Sequence, residues 1–171
     1  MNELGLTMPV TATPKLEIAA EMLERSIELF LRGDSYHSAL HLAGAAEEIL
    51  NVYARSIELP GGKTLAPSFD QMKAALTEAL APKTEHEKGK AEHEKGKAEK
   101  WAHDRLTDPK NSVKHMRGTR DTHFVYDSEQ EAEDVIDRAV TTYIQLNQRL
   151  GHPLATLITA FDRIMRGDSE A

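Results

Sequence analysis

Apolar side chains recur every three or four positions in several segments of the chain, the spacing that gathers them on one face of an α-helix. The first segment begins at Thr13-Pro14 and ends at Gly33, and a second follows at once, with Asp34 or Ser35 as its cap. Because so few residues connect them, these two helices must run antiparallel. Their predicted buried positions are Leu16, Ala19, Ala20, Leu23, Ile27, Phe30 and Leu31 in the first helix, and Ala39, Leu42, Ala43, Ala46, Ile49, Leu50 and Tyr53 in the second.

A third helix follows the sequence LPGGK at 59–63, whose proline and glycines cannot sustain a helix. Ser68 is placed to cap this helix, and Pro82 ends or kinks it. Its predicted buried positions are Phe69, Met72, Ala75, Leu76, Ala79 and Leu80.

Two more helices complete the C-terminal part, after a short segment predicted to be extended at 123–127. Ser128 and Glu131 form a capping box for the first of them, which Gly151 stops. Pro153 begins the last helix, which runs to about residue 166. The predicted buried positions are Ala132, Val135, Ile136, Ala139, Val140, Tyr143, Ile144 and Leu146, then Leu154, Leu157, Ile158, Phe161 and Ile164.

These stripes predict an all-α protein, an up-and-down bundle of four to five helices. Only 5% of the residues are aromatic, which favours helices over sheets, and a hydrophobic content of 40% is enough for one core. We therefore expect a single helical domain at 14–166, a flexible N-terminus at 1–13 and a tail at 167–171.

A seven-residue unit, EHEKGKA, occupies 85–91 and is repeated without change at 92–98. Seven residues make almost two helical turns, so one extra unit rotates the faces beyond it by only about 20°. The unit has no apolar residue larger than alanine, which predicts that 85–100 is a solvated helical extension or a mobile loop. Metal binding by His86 and His93 is the alternative, although the duplication alone explains their spacing.

The segment that follows the repeat is locally basic on an acidic protein, whose net charge is -7 at pH 7. Trp101 and Leu106 can anchor a short helix, Asp108-Pro109 can start another helical turn, and Gly118 can end the helical segment. The acidic total disfavours broad attraction to nucleic acid or to anionic membranes. The segment itself could still attract a phosphate.

Composition also excludes several kinds of site and suggests a compartment. The chain has no cysteine, which rules out disulfides, thiolate metal sites and a cysteine nucleophile, and which fits a reducing cytoplasm. No run approaches the roughly 18 apolar residues of a membrane span, and the first residues lack the pattern of a signal peptide. We expect a cytoplasmic protein with no membrane association, no cofactor and no resident metal ion.

Candidate chemistry is concentrated in DPKNSVKHM at 108–116. The imidazole of His115 can exchange a proton near neutral pH, and Lys110, Lys114, Arg117 and Arg120 can neutralise phosphates beside it. Lys110 and His115 are separated by about 140° around a regular helix. They therefore meet only if the backbone departs from regular helix or a second subunit contributes.

Two stretches of the chain resemble the HEPN superfamily of helical bundles, which occur in prokaryotic toxin, defence and nucleotide-handling proteins. ALHLAGAAEEIL at 39–50 is similar to the small-residue helix of the family's first hairpin. KNSVKH at 110–115 is similar to its motif of an arginine, usually followed by a polar residue such as asparagine, and a histidine after four to six intervening positions. The resemblance covers roughly residues 14–150 and leaves the last helix outside.

The resemblance implies metal-independent RNA cleavage, with a site that often forms across a homodimer. It assigns acid-base or phosphate chemistry to His115, an orienting role to Asn111 and the place of the family's arginine to Lys110. Lysine offers a point charge where guanidinium offers two parallel hydrogen bonds, so its grip on a phosphate has poorer geometry. Arg117 and His123 make a second match, which keeps the arginine but lacks the asparagine.

Other interpretations of these residues stay open at this point. The chain can be a non-catalytic helical module that acts through protein partners, with Asn111 capping a turn, His115 packed at a helix end and the lysines solvated. It can also bind a metal ion, if His37 and His41, which share a helical face, meet a carboxylate from another helix. The adjacent glutamates at 47 and 48 are expected to edge the core, unless one enters the bundle to meet a tyrosine or an arginine.

Overall fold

The computed structural model describes residues 12–80, 88–115 and 118–167, and it confirms the all-α helical bundle. A small hairpin with two residues in each strand forms where the glycine-rich break was expected, and it pairs Glu58 with Thr64 and Leu59 with Lys63. The elements in chain order are α1 (Lys15–Arg32), α2 (Tyr36–Ser56), β1 (Glu58–Leu59), β2 (Lys63–Thr64), α3 (Ser68–Leu80), α4 (Lys88–Lys114), α5 (Ser128–Leu150) and α6 (Thr156–Arg166).

The main hydrophobic core lies between α1, α2, α5 and α6. The predicted stripes of α2 and α5 supply most of it, and α1 and α2 pack as the expected hairpin, with Ser35 as the N-cap of α2. Phe30 contacts Tyr36 and Phe161 edge-on, which joins α1 to α2 and α6. At the ends of the stripes Leu31 and Ile164 are exposed, so these two burial predictions are wrong.

The predicted buried face of α3 is largely wrong. Phe69 is buried as expected, but Met72 and Leu80 are exposed, and the second buried position of the helix is Thr77. The reason is that α3 packs chiefly against α4, which brings a charged surface to the contact. Lys73 on α3 binds Glu99 on α4 at 2.9 Å. Pro82 and His86 lie outside the described residues.

Helix α4 is one continuous element in which the expected break at Asp108-Pro109 does not occur. Pro109 is buried within the helix, and the preceding turn is held by Arg138, whose Nη2 donates to the carbonyl of Leu106 at 3.4 Å. Trp101 is half-exposed, so it does not anchor this helix as expected. Residues 92–97 are helical and exposed, as a solvated helical extension requires, whereas Ala98, the last residue of the second repeat unit, is buried.

The N-cap of α5 is one residue earlier than the sequence predicts. Asp127, not Ser128, is the N-cap, and its Oδ1 accepts from the backbone N–H groups of Glu129 at 3.1 Å and Gln130 at 3.2 Å. Glu131 is consequently free to turn inward, where it binds Arg105 of α4 at 3.0 Å. Gly151 ends the helix in the left-handed conformation, as its position predicts.

Candidate functional site

A buried group of three charged side chains joins α2, α4 and α5. Both oxygens of the Glu47 carboxylate are used: Oε2 accepts from Lys110 Nζ at 2.6 Å, and Oε1 accepts from Arg138 Nε at 2.8 Å. Glu47 is 0% exposed, Lys110 4% and Arg138 3%. We call these three residues the buried triad. It contains two cations and one carboxylate, and charges in such surroundings must be paired to be tolerated.

The sequence around the buried triad explains how α4 comes so close to α2. A Cβ atom on Gly44 would lie 3.1 Å from Cβ of Lys110, so the lysine stem occupies the space that any other residue would fill. On the other side, the Phe69 ring of α3 lies 5.4 Å from the lysine nitrogen, a cation–π distance. Lys110 is thus a packing residue for three helices as well as an ion-pair partner.

A second pair of charges continues from the buried triad towards the surface. Lys114, one turn after Lys110, binds Glu48 at 2.8 Å, and the same carboxylate lies 4.0 Å from the Lys110 nitrogen. Glu48 is 55% exposed, so it edges the core as predicted, whereas Glu47 enters the bundle and meets an arginine. The last two turns of α4 are therefore fixed to α2 by both neighbouring glutamates.

Beyond these pairs, the end of α4 and the segment before α5 enclose an open cleft with a volume of about 470 Å³. Its lining residues, which we call the histidine cleft, are Ser112, Val113, Lys114, His115, Asp121, Thr122, His123 and Phe124. His115 and His123 are both exposed, and Val113 and Phe124 pack against the main core. Both histidines thus line one open cleft, beside two side chains that pack against the core.

His123 has a defined partner inside the histidine cleft. Its Nδ1 lies 2.7 Å from the hydroxyl oxygen of Thr122, a hydrogen bond that leaves Nε2 for other contacts. The ring of the next residue, Phe124, makes an edge contact with the ring of His37 at a centroid distance of 5.0 Å and a tilted contact with the ring of Tyr126 at 5.4 Å. These rings position the segment before α5 against the start of α2.

The structure separates the two ends of the predicted motif. Lys110 points into the bundle towards Glu47 and is absent from the lining of the histidine cleft, whereas His115 and Lys114 line that cleft. Asn111 is half-buried, and its carbonyl accepts from the backbone N–H of His115 at 3.0 Å, which extends the helical turn to the histidine.

The remaining predicted phosphate ligands differ in how far the structure describes them. Arg120 is exposed, three residues before His123. Arg117 lies outside the described residues, so its part in a site stays a prediction, as does its match with His123.

The metal-binding interpretation lacks a ligand set. Among residues 12–80, 88–115 and 118–167, no group of three or more histidines, aspartates or glutamates could hold a metal ion. His37 and His41 are both exposed on α2, and the ring of His37 packs against Phe124.

Sequence reasoning missed Arg138 and the pairing of the two cleft histidines. Arg138 lies within the predicted apolar stripe of α5, one turn after Val135 and one before Thr142. A charged residue on a buried face is itself a signal, because it requires a buried partner. The histidine pairing had no such signal, because it depends on how the chain turns between α4 and α5.

Ion pairs and burial shift the pKa of several side chains in the bundle. The pKa of Arg105 is raised, chiefly by its hydrogen bond to Glu131, and that of Arg55 by its bidentate pair with Asp70. Near α6, burial raises the pKa of Asp137, with Arg166 acting against the shift and Asp162 adding to it. Asp137 is thus a carboxylate whose charged form the fold disfavours.

Comparison of the chain with protein-family models, with curated proteins and with solved structures gives no match. Within the part of the chain that the structure describes, no helix has the length and apolar character needed to cross a membrane.

Proposed function

We propose that this protein is a HEPN-like bundle that binds single-stranded RNA at the histidine cleft and cleaves it weakly, without a metal ion. In this proposal His115 transfers a proton in the reaction. Lys114 and Arg120 attract the phosphate backbone of the RNA. The net negative charge of the protein repels RNA elsewhere, which limits this attraction to this part of the surface.

One observation carries the proposal. His115 is exposed on the wall of an open cleft beside Lys114, at the end of a helix that one buried and one exposed ion pair attach to α2. A proton-transferring group needs access to substrate and a rigid support, because small displacements from the reacting atoms reduce its effect strongly. The resemblance of KNSVKH to the family motif is an independent reason to select the same histidine.

Lys110 has a different part in this proposal from the one that the resemblance implies. Its nitrogen is held by Glu47 at 2.6 Å inside the bundle, so we treat it as a positioning residue that sets where α4 ends. Asn111 acts through its backbone carbonyl, which holds the amide of His115 at 3.0 Å. Neither side chain needs to touch the phosphate.

Cleavage of a mixed-sequence single-stranded RNA in EDTA tests the proposal. We expect wild type to cut, His115→Ala to lose the activity and His152→Ala, a change at an exposed histidine after α5, to keep it. Lys110→Arg separates the two roles of the lysine. Unchanged cleavage fits a positioning role, whereas a clear increase would mean that this residue grips the phosphate.

A second candidate function is that of a non-catalytic module that binds protein partners. It is favoured by the inward position of Lys110 and by two large apolar side chains in contact with solvent, Val52 at 66% exposure and Trp101 at 50%. If neither wild type nor Lys110→Arg cuts RNA, this candidate replaces the first.

The resemblance also implies a homodimer. Sedimentation equilibrium of the purified protein tests this directly, because a monomer at all measured concentrations would exclude a shared site. A site assembled from two subunits would instead lose activity on dilution below the dimer dissociation constant.

A further inference from the structure

The histidine cleft has little positive charge of its own while its two imidazoles are neutral. Among the described residues that line it, Lys114 is the one permanent cation and Asp121 the one carboxylate, so their charges balance. Glu48 also pairs with Lys114 at 2.8 Å, which weakens the effect of the lysine on a ligand. The net charge of the protein, -7 at pH 7, opposes a polyanion at longer range. A phosphate backbone therefore needs a further source of positive charge in this cleft.

We propose that the binding of RNA in the histidine cleft is linked to proton uptake by His115 and His123, so that the site binds RNA more tightly as the pH falls. This inference rests on the proposed function. It adds to it a regulation of the same site by pH and a binding role for His123.

The direction of the effect follows from linkage. An ordinary imidazole changes its charge near pH 6.5, whereas a phosphodiester stays negative throughout this range. A phosphate beside an imidazole favours the protonated ring, so the complex holds more protons than the empty protein. Binding is consequently strengthened as the pH falls through the titration range of the imidazoles, and this gain is lost as the pH rises above that range.

Both rings can take up a proton without disturbing the fold. His115 and His123 are exposed, so neither must be charged inside an apolar core. The Nδ1 atom of His123 lies 2.7 Å from the hydroxyl oxygen of Thr122. A hydroxyl group can donate or accept, so this contact is compatible with the neutral ring and with a protonated ring that donates from both nitrogens.

The charged neighbours of the two rings act in opposite directions. Lys114 on α4 and Arg120, three residues before His123, oppose protonation, whereas Asp121 in the lining favours it. From α2, Glu48 pairs with Lys114, and the titratable ring of His37 packs against the lining. A bound phosphate adds the further negative charge that favours both protonated rings.

The affinity for a single-stranded oligonucleotide, measured against pH, tests the inference. The probe is a 2′-O-methylated oligouridylate, whose bases keep their charge between about pH 5.5 and pH 8, the range in which an imidazole titrates. Fluorescence anisotropy in EDTA gives the affinity. The ionic strength is held constant, because salt alone changes the binding of a polyanion.

We expect the affinity of wild type to rise about 100-fold from about pH 8 to pH 5.5, about tenfold for each imidazole, the scale of one hydrogen bond to a charged group. His115→Gln and His123→Gln should each keep about tenfold of this rise, and the double variant none. His123→Lys has a fixed charge, so it should bind about tenfold more tightly than wild type at about pH 8.

Other histidines also gain charge in acid, so two of them provide the controls. His41→Gln and His152→Gln remove exposed imidazoles outside the lining of the histidine cleft and should keep the full pH dependence of wild type. Thermal melting at both ends of the pH range verifies that every variant is folded.

Three results would overturn the inference. An affinity that does not change with pH, or a His123→Lys variant that binds no better than wild type in alkali, would remove the proton linkage. Equal losses of pH dependence in the control variants would assign it to the charge of the whole protein. In both cases RNA cleavage in EDTA can persist, and the proposed function then stands. If the probe binds at no pH and the mixed-sequence RNA is not cut, the proposed function and this inference fail together.

Discussion

Removing the charge of Glu47 is the sharpest perturbation that this fold offers. In Glu47→Gln the side chain keeps its shape, but the new amide has a single oxygen for two donors, Lys110 Nζ at 2.6 Å and Arg138 Nε at 2.8 Å. The amide NH₂ group must then face one of the two cations. Both cations stay almost fully buried, so water cannot replace the lost carboxylate.

The expected cost follows from that burial. Breaking a buried ion pair by removing one partner costs about 3–5 kcal/mol, because the remaining charge is left uncompensated. In a chain of this size each kcal/mol lowers the melting temperature by roughly 2–4 °C, so we expect Glu47→Gln to melt about 10 °C lower than wild type. Urea unfolding at low temperature, followed by circular dichroism, gives the free energy directly.

The neighbouring residue provides the control. Glu48→Gln makes the same chemical change one position along the same helix, at a side chain that is 55% exposed and binds Lys114 at 2.8 Å. Exposed ion pairs contribute about 0–1 kcal/mol, so this variant should melt close to wild type. If Glu47→Gln costs no more than Glu48→Gln, the buried triad does not hold the three helices together as described.

Three further predictions concern backbone approach, titration and the repeat. Gly44→Ala should destabilise the fold by about 1–3 kcal/mol, because its Cβ would lie 3.1 Å from Cβ of Lys110. Gly96→Ala, where nothing lies within 4 Å of the new Cβ, should stabilise the fold by up to about 1 kcal/mol. Changes of equal sign in the thermal melts of the two variants would show that close helix approach at Gly44 does not matter. The pKa of Asp137 is higher in the folded than in the unfolded chain, so its stabilising contribution is complete below the unfolded pKa and is lost as pH rises through the folded pKa. Asp137→Asn should therefore raise the melting temperature at neutral pH, by an amount that decreases in acid. A gain in melting temperature that does not depend on pH would contradict this cause. Deleting 92–98 should change the melting temperature by only a few degrees, since 92–97 are exposed and an identical unit takes their place before Glu99; collapse of the fold would show that the extension packs.

The sequence allowed the main helices and the core between α1, α2, α5 and α6 to be predicted, because each has an apolar stripe with local caps. The same logic failed where a helix is shaped by distant contacts. Pro109 marks a helix break by local rules, yet α4 continues through it, with the turn held by a side chain from α5. The stripe assigned to α3 failed because its neighbour α4 presents charge there.

The candidate site was predictable only in part. His115 and Lys114 do line one cleft, as a local motif can indicate, but the ion-pair partner of Lys110 is Glu47, which lies 63 positions before it in the chain. Arg138 lies 91 positions after Glu47. Pairings over such separations arise from packing of whole helices, which no six-residue pattern encodes.

The position of the second repeat unit on α4 has a consequence for how this protein can vary. Each seven-residue unit changes the reach of the helix by about 10 Å while turning its face by only about 20°. The histidine cleft lies at the opposite end of the same helix, beyond the buried triad. Gain or loss of a unit therefore changes the length of the charged N-terminal part of α4 and leaves the orientation of the histidine cleft unchanged. The length of this helix and the sequence of the cleft can therefore change independently of each other in evolution.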